Sequence, residues 1–177
     1  FYSSNEDFHI TGTSLSKNFE ATMKLVQEIL LQPRWDATEF TRLKSALETN
    51  LKGREADPSS IASLAFYKLL YGNSHNFGIS GIGSLESTSV ITIEDLKEYY
   101  KKLSPKDAAF HVAGAISEKE VKDALSGIAS NWNTTAVDLP EQKIEPLGKA
   151  GKLYFIDFPE AKQSVLLIGK LALSATN

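Results

Sequence analysis

Three histidines, His9, His75 and His111, are the only imidazoles in 177 residues, and cysteine is absent. They are therefore the first candidates for metal chemistry, yet none has a second histidine at the one-turn spacing that a helical zinc site uses. His9 and His111 fall in strand-like runs whose pleat points them away from their apolar neighbours, so exposed or hydrogen-bonded side chains are expected. His75 lies in a glycine-rich loop, where binding residues concentrate, although a solvated histidine is the plainer reading. Serines are plentiful, but no Gly-x-Ser-x-Gly elbow occurs. Gly78-Ile79-Ser80-Gly81-Ile82-Gly83 follows a helix rather than a strand and lacks the lysine of a phosphate loop, so it reads as a flexible connection. The carboxylate pairs Glu94/Asp95 and Glu118/Glu120 sit in first helical turns, where they oppose the macrodipole. Asn133-Thr134-Thr135 fits a glycosylation acceptor, which matters only in a secretory pathway. Tyr99-Tyr100 and Phe66-Tyr67 lie on helical stripes and read as core rather than as a base-stacking platform.

The elements that would position these residues follow from periodicity. Phe8 and Ile10 alternate with polar neighbours in a strand ending at Gly12. Leu15, Phe19, Met23, Val26, Ile29 and Leu30 recur at helical spacing until Pro33 stops the run. Asp36-Ala37-Thr38-Glu39 resembles a capping box that opens a second helix, with Phe40, Leu43, Leu47 and Leu51 on one stripe and Gly53 near its end. Asp57-Pro58 starts a third helix, whose stripe is Ile61, Ala62, Ala65, Leu69 and Leu70 and which ends near Tyr71-Gly72. Residues 73–89 read as a surface loop. Thr92-Ile93-Glu94-Asp95 caps a fourth helix, with Leu96 and Tyr99 or Tyr100 inward, closed by Ser104-Pro105. Residues 108–115 read as a second strand, and Ser117-Glu118-Lys119-Glu120 as a capping box whose helix carries Val121, Leu125 and Ile128 towards Trp132. Residues 133–150, with Pro140 and Pro146, read as a linker, and 153–158 and 164–171 as two further strands.

Composition narrows the class. A length of 177 residues against about 150 per domain gives roughly one domain and a remainder. The hydrophobic content of 42% is ordinary for a globular chain. Lys plus Arg 19 against Asp plus Glu 22 leaves a net charge of −3, which supplies no field for nucleic acid or an anionic membrane. Without cysteine there is no disulfide framework, thiolate zinc finger, iron–sulfur site or cysteine nucleophile. The longest apolar stretch, 164–173, is broken by Gly169 and Lys170 and is far shorter than the 18 or so residues of a membrane span. A start at Phe1, with no initiator Met and no signal pattern, suggests a piece of a longer protein.

The order of these segments resembles peptidase family M16, the pitrilysin and mitochondrial processing peptidase family, whose catalytic motif is the inverted zinc sequence His-x-x-Glu-His. Asn18-Phe19-Glu20-Ala21-Thr22, Pro33-Arg34-Trp35 and Glu39-Phe40-Thr41-Arg42-Leu43-Lys44 are similar to the family's helix pair. Asp57-Pro58-Ser59-Ser60-Ile61-Ala62 and Tyr71-Gly72-Asn73-Ser74-His75-Asn76-Phe77-Gly78 resemble its "P-x-x-I-A" helix and "Y-G-x-x-H-x-x-G" loop. Ile91-Thr92-Ile93-Glu94-Asp95-Leu96 and His111-Val112-Ala113-Gly114-Ala115-Ile116 resemble two further elements, and Pro159 to Ser164 the entry strand of a following domain.

The resemblance implies an α+β fold with helices layered on a mixed β-sheet, in domains that clasp a chamber for unfolded peptides. It implies residues 1–133 as the latter part of one such domain, 134–151 as a linker and 152–177 as the opening strands of the next. His-x-x-Glu-His does not occur, so no catalytic residue is assigned. Asn50 stands where the family's third, acidic zinc ligand would come from the second helix, and its neutral amide is a poor substitute. Glu48, the one candidate ligand, is two positions away on another helical face. The expectation is a non-catalytic segment that walls the chamber and binds peptide or a partner domain, with no cofactor of its own and zinc elsewhere in the parent protein. Expected partners are other M16-like domains, peptide substrate and a second copy through open sheet edges. Competing expectations are a purely structural assembly subunit and an active domain completed through Glu48. An extracytoplasmic setting is favoured over a cytoplasmic one.

Overall fold

A computed structural model describes residues 1–4, 7–105, 108–132 and 141–172. The chain forms two compact units, Phe1–Phe40 with Thr92–Leu139, and Thr41–Ile91 with Pro140–Asn177. The division falls within the second helix. The glycosylation pattern at Asn133 and residues 134–140 of the expected linker lie outside the described residues.

In the first unit, β1 (Tyr2–Ser3) and β2 (Phe8–His9) pair antiparallel with Tyr2 opposite His9 and Ser3 opposite Phe8. α1 (Phe19–Leu31) follows a turn of 3-10 helix at Ser16–Asn18 and stops before Pro33, whose ring and missing N–H bar continuation. After α2 (Ala37–Glu55), α3 (Pro58–Tyr71) and α4 (Leu85–Val90), the chain returns to this unit through α5 (Ile93–Tyr100) and α6 (Glu118–Asn131). Reciprocal caps start both helices. The Thr92 amide donates to the Asp95 carboxylate at 2.8 Å and the Asp95 amide to the Thr92 hydroxyl at 3.3 Å. The Ser117 amide donates to Glu120 at 2.8 Å and the Glu120 amide to Ser117 Oγ at 3.3 Å.

α1 packs against α6 with Leu30 and Ile128 buried between them. At Gly127 the nearest neighbour is the carboxamide end of the Gln27 side chain, brought there by the packing of the two helices. The Tyr100 hydroxyl donates to the Leu30 carbonyl, one of the orphan acceptors at the end of α1, and its ring meets Trp35 edge-on at 5.6 Å. Trp132 Nε1 donates to the Leu103 carbonyl at 3.1 Å. Of the side chains expected inward on α5, Tyr100 is half-buried, whereas Leu96 and Tyr99 are exposed.

In the second unit, the Asp57 carboxylate accepts from the amides of Ser59 at 3.3 Å and Ser60 at 2.9 Å, with Pro58 at the first helical position of α3. Leu51 is the buried apolar residue of α2. Residues 73–89 are not a continuous loop. A 3-10 turn at Asn76–Gly78 is followed by α4, whose Ser84/Ser87 box uses serine where Glu or Gln is the recognisable partner. Lys44 Nζ then donates to the carbonyls of Ser89 at 2.7 Å and Ile91 at 2.9 Å, satisfying the end of this six-residue helix from a distant part of the chain. A helix this short, half of it Ser and Thr, does not form on propensity alone.

The architecture is α+β in the coarse sense, six α-helices with a small sheet among the described residues. The strands expected at 108–115, 153–158 and 164–171 do not form, and the β1–β2 pair is the sole ladder among the described residues. The physical reason is the origin of a strand's hydrogen bonds, which come from a neighbouring strand rather than from its own residues. Apolar content at these positions was legible; a partner was not.

Candidate functional site

The most closely built part of the second unit lies where α3 ends. Gly72 takes φ 91° and ψ −173°, a conformation that side-chain-bearing residues avoid. A Cβ there would strike the Glu145 carbonyl oxygen, and one on Gly78 would strike the Gly72 carbonyl oxygen. Between them the chain folds back so that His75 is buried, 7% exposed. Its ring stacks on Tyr71 at 5.1 Å and on Phe77 at 5.5 Å. His75 Nδ1 accepts the Phe77 amide at 3.1 Å, which caps the 3-10 turn and fixes the Nε2–H tautomer. The spacing Tyr71-Gly72-x-x-His75-x-x-Gly78 thus has a packing explanation: two glycines at backbone collisions and two rings in one stack. His75 is neither solvated nor available as a ligand through Nδ1.

Residues 142–148 close this knot. The amides of Leu147 and Gly148 donate to the Leu69 carbonyl at 3.0 and 2.9 Å, and the Glu145 amide to the Tyr71 carbonyl at 3.3 Å. Gln142 Oε1 accepts from the Asn76 amide at 3.1 Å. The last-turn carbonyls of α3, which lack intrahelical partners, are capped by a segment more than sixty residues away. Proline spacing and scattered charge hid this role, since the segment contributes backbone groups and not a recognisable side-chain pattern.

The other candidate positions do not converge. His9 stacks on Tyr2 across the hairpin at 4.6 Å and 14°, and lies 3.9 Å from the Asp7 carboxylate. His111 is exposed. On α2, Glu48 is half-buried and Asn50 exposed, as two residues of a helix about 200° apart should be. No three His, Cys, Asp or Glu side chains come together among the described residues, so the donor set does not fit a zinc ion. Phe66 and Tyr67 meet edge-on at 5.8 Å; Phe66 is half-buried and Tyr67 exposed. A cavity of about 100 Å³ is lined by Leu51, Arg54, Ser60, Ile61, Leu64 and Gly83 among others, and the Ser60 hydroxyl there donates to the Asp57 carboxylate at 2.7 Å as part of the α3 cap.

The carboxylates whose protonation is perturbed all serve local structure. The Ser60 hydroxyl, then the Ser60 amide, hold Asp57 below the ordinary carboxylate range. The Thr92 hydroxyl does the same for Asp95, the Ser117 hydroxyl for Glu120 and the Glu39 amide for Asp36. The Tyr100 phenol is raised by burial. These are helix-start and packing effects.

Fold and site together define a helix-rich α+β chain in which the cluster around His75 packs the end of α3. Among solved structures, it is similar to a crystal structure of a peptidase M16 inactive domain from Pseudomonas fluorescens, with a TM-score of 0.66 and 23% identity over 74% of this chain. The likeness, which agrees with the resemblance read from the motifs, is one of fold. The chain spans 32% of the length of that structure. No family model and no curated protein matches the chain. No helix among the described residues is long and apolar enough to cross a membrane.

Proposed function

We propose that the chain is a non-catalytic segment of an M16-like zinc metallopeptidase, and that it walls the peptide chamber while zinc and water activation reside in another domain. The observation that carries this reading is the fold shared with an M16 inactive domain. In the parent protein, residues 1–133 complete one domain, 134–151 connect it, and 152–177 enter the sheet of the next. That arrangement would supply the mixed sheet on which the helices layer, because strand pairing comes from a neighbour. The exposed apolar runs Leu153–Ile156 and Val165–Ile168 favour it, since both side-chain rows of each are apolar. The partners are other M16-like domains, and unfolded peptide lies against the wall they form.

Zinc titration and peptide hydrolysis test this reading. The 177-residue chain should bind no stoichiometric zinc and cleave no peptide, while the parent protein should cleave unfolded peptides and lose that activity on zinc removal. Stoichiometric zinc binding by this chain, abolished in Glu48→Ala, would instead make it a catalytic half. A parent protein with no peptidase activity would leave a structural assembly subunit.

A further inference from the structure

We propose that one face of α3 is the seat that carries the entry strand of the following domain, and so fixes where that domain joins this one. The domain beyond the strand comes from the M16-like reading, on which this docking role rests; the seat itself stands on contacts within the second unit. Near the start of α3, Asp57, Pro58 and Ser59 share a cleft of about 380 Å³ with Lys162, Gln163 and Val165. Two turns on, the Phe66 ring points end-on at the Gly169 backbone: a Cβ there would lie 2.6 Å from Cζ and 3.5 Å from each Cε. In the last turn, Gly148 lies against Leu69, to whose carbonyl its amide donates at 2.9 Å.

These contacts fall on one stripe and in one direction. Ser59, Ala62, Phe66 and Leu69 recur at three- and four-residue spacing, which is a single helical face. Along that face Pro58 and Phe66 are about 12 Å apart, and Val165 and Gly169 are about 13 Å apart along an extended chain. The matching rises let residues 165–169 run alongside α3 in the same direction, with no slip between the first contact and the last. Exposure along the run agrees. Val165 and Leu167 are each 41% exposed, whereas Leu166 and Ile168 are 73% and 88%. Gly169 and the half-buried Leu171 continue the first row. Period two places this row on α3 and the other away from it.

Bulk and space are divided between the two surfaces: Phe66 and Leu69 present side chains where residues 169 and 148 have none. A strand held through one row of side chains keeps both backbone edges, so resting on α3 and joining the sheet of the next domain do not compete. The occupant of the seat is thus a segment of this same chain, and α3 is the helix that layers on the sheet which that segment enters.

Cysteine pairs test the register, because the chain has no cysteine of its own. Ser59→Cys/Val165→Cys should be joined by a short bis-maleimide, in the 177-residue chain and in the parent protein alike. Ser59→Cys/Ile168→Cys, with its second thiol on the outer row and about 10 Å further along, should react about ten-fold more slowly. Adding Gly169→Val to the first pair sets a branched side chain against the Phe66 ring and should lower cross-linking by about ten-fold, and Phe66→Ala should restore it. Equal rates for the two pairs, Gly169→Val without effect, or no recovery with Phe66→Ala would each overturn the seat on α3. Cross-linking present in the chain and lost in the parent would overturn the docking role. None of these readouts depends on zinc or proteolysis, so a parent without peptidase activity refutes the zinc-peptidase reading and leaves the seat standing. Circular dichroism confirms that each variant keeps its helices.

Discussion

Two glycine-to-alanine substitutions should move stability in opposite directions, and the geometry at the end of α3 sets the size of the gap. At Gly72, φ 91° and ψ −173° lie in a region nearly closed to residues with a side chain, at a cost of about 1–3 kcal/mol. The added Cβ also meets the Glu145 carbonyl oxygen, which belongs to backbone and cannot rotate away. If 145–148 shifts to relieve this, the bonds from Glu145, Leu147 and Gly148 to the α3 carbonyls weaken, each worth about 0.5–1.5 kcal/mol net. With one or two of them lost, Gly72→Ala should destabilise by about 2–5 kcal/mol. Gly53 lies inside α2 with no atom within 4 Å of an added Cβ, so Gly53→Ala should stabilise by about 0.5–1 kcal/mol through helix propensity. Urea unfolding measures the difference: at a slope of about 2 kcal/mol per M, the two midpoints should lie at least about 1 M apart. Amide exchange should show the Leu147 and Gly148 protections lost in Gly72→Ala and retained in Gly53→Ala. A Gly72→Ala midpoint equal to or above that of wild type would refute the reasoning.

His75→Ala should leave the part-buried Phe77 amide without its acceptor at a cost of about 1–2 kcal/mol, whereas His75→Asn, which retains a short side-chain acceptor, should cost less; equal midpoints in urea would contradict the capping role. Lys44→Met removes both bonds to the Ser89 and Ile91 carbonyls and should lower stability by about 1–2 kcal/mol while raising amide exchange in α4. Unchanged exchange there would mean that α4 stands without Lys44. The capping carboxylates set an acid limit. Asp36, Asp57, Asp95 and Glu120 have folded-state pKa values below their ordinary values of 3.8 and 4.5. Their contribution is therefore present above those values and lost as pH falls through the depressed folded values. Replacing the three aspartates with asparagine, which still caps helices, should flatten the fall in stability below about pH 4 and change little at neutral pH. A stability profile with an unaltered acid limb would remove the caps from the account.

Most helix starts and stops were legible because their causes are local. Pro33 ends α1, Asp57-Pro58 opens α3, and the Thr92/Asp95 and Ser117/Glu120 boxes open α5 and α6, all with partners two or three residues away. That His-x-x-Glu-His does not occur in these 177 residues was legible for the same reason, since the motif is five contiguous residues. α4 was missed because its box pairs two serines and its far end depends on Lys44, some forty-five residues earlier. Leu96 was placed inward by periodicity, but the side chain that α5 directs to α1 is Tyr100, whose hydroxyl finds the Leu30 carbonyl. Helical phase fixes which residues share a stripe, and packing decides which part of the stripe is covered.

The motif around His75 shows the same division. Its glycines and rings could be recognised one by one, and a reading from the chain alone made the histidine a solvated loop residue. Only the fold brings Glu145 against Gly72 and turns Nδ1 onto the Phe77 amide. Sequence by itself determined where most helices begin and end, which runs are apolar on both rows, and that no His-x-x-Glu-His occurs in these residues, because these depend on neighbours along the chain. Tertiary structure alone decided that 142–148 caps α3, that Lys44 closes α4, and that 153–158 and 164–171 meet no partner strand among the described residues. The physical reason is that a helix satisfies its own backbone, whereas a cap from afar or a strand exists only when another segment arrives to accept or donate its hydrogen bonds.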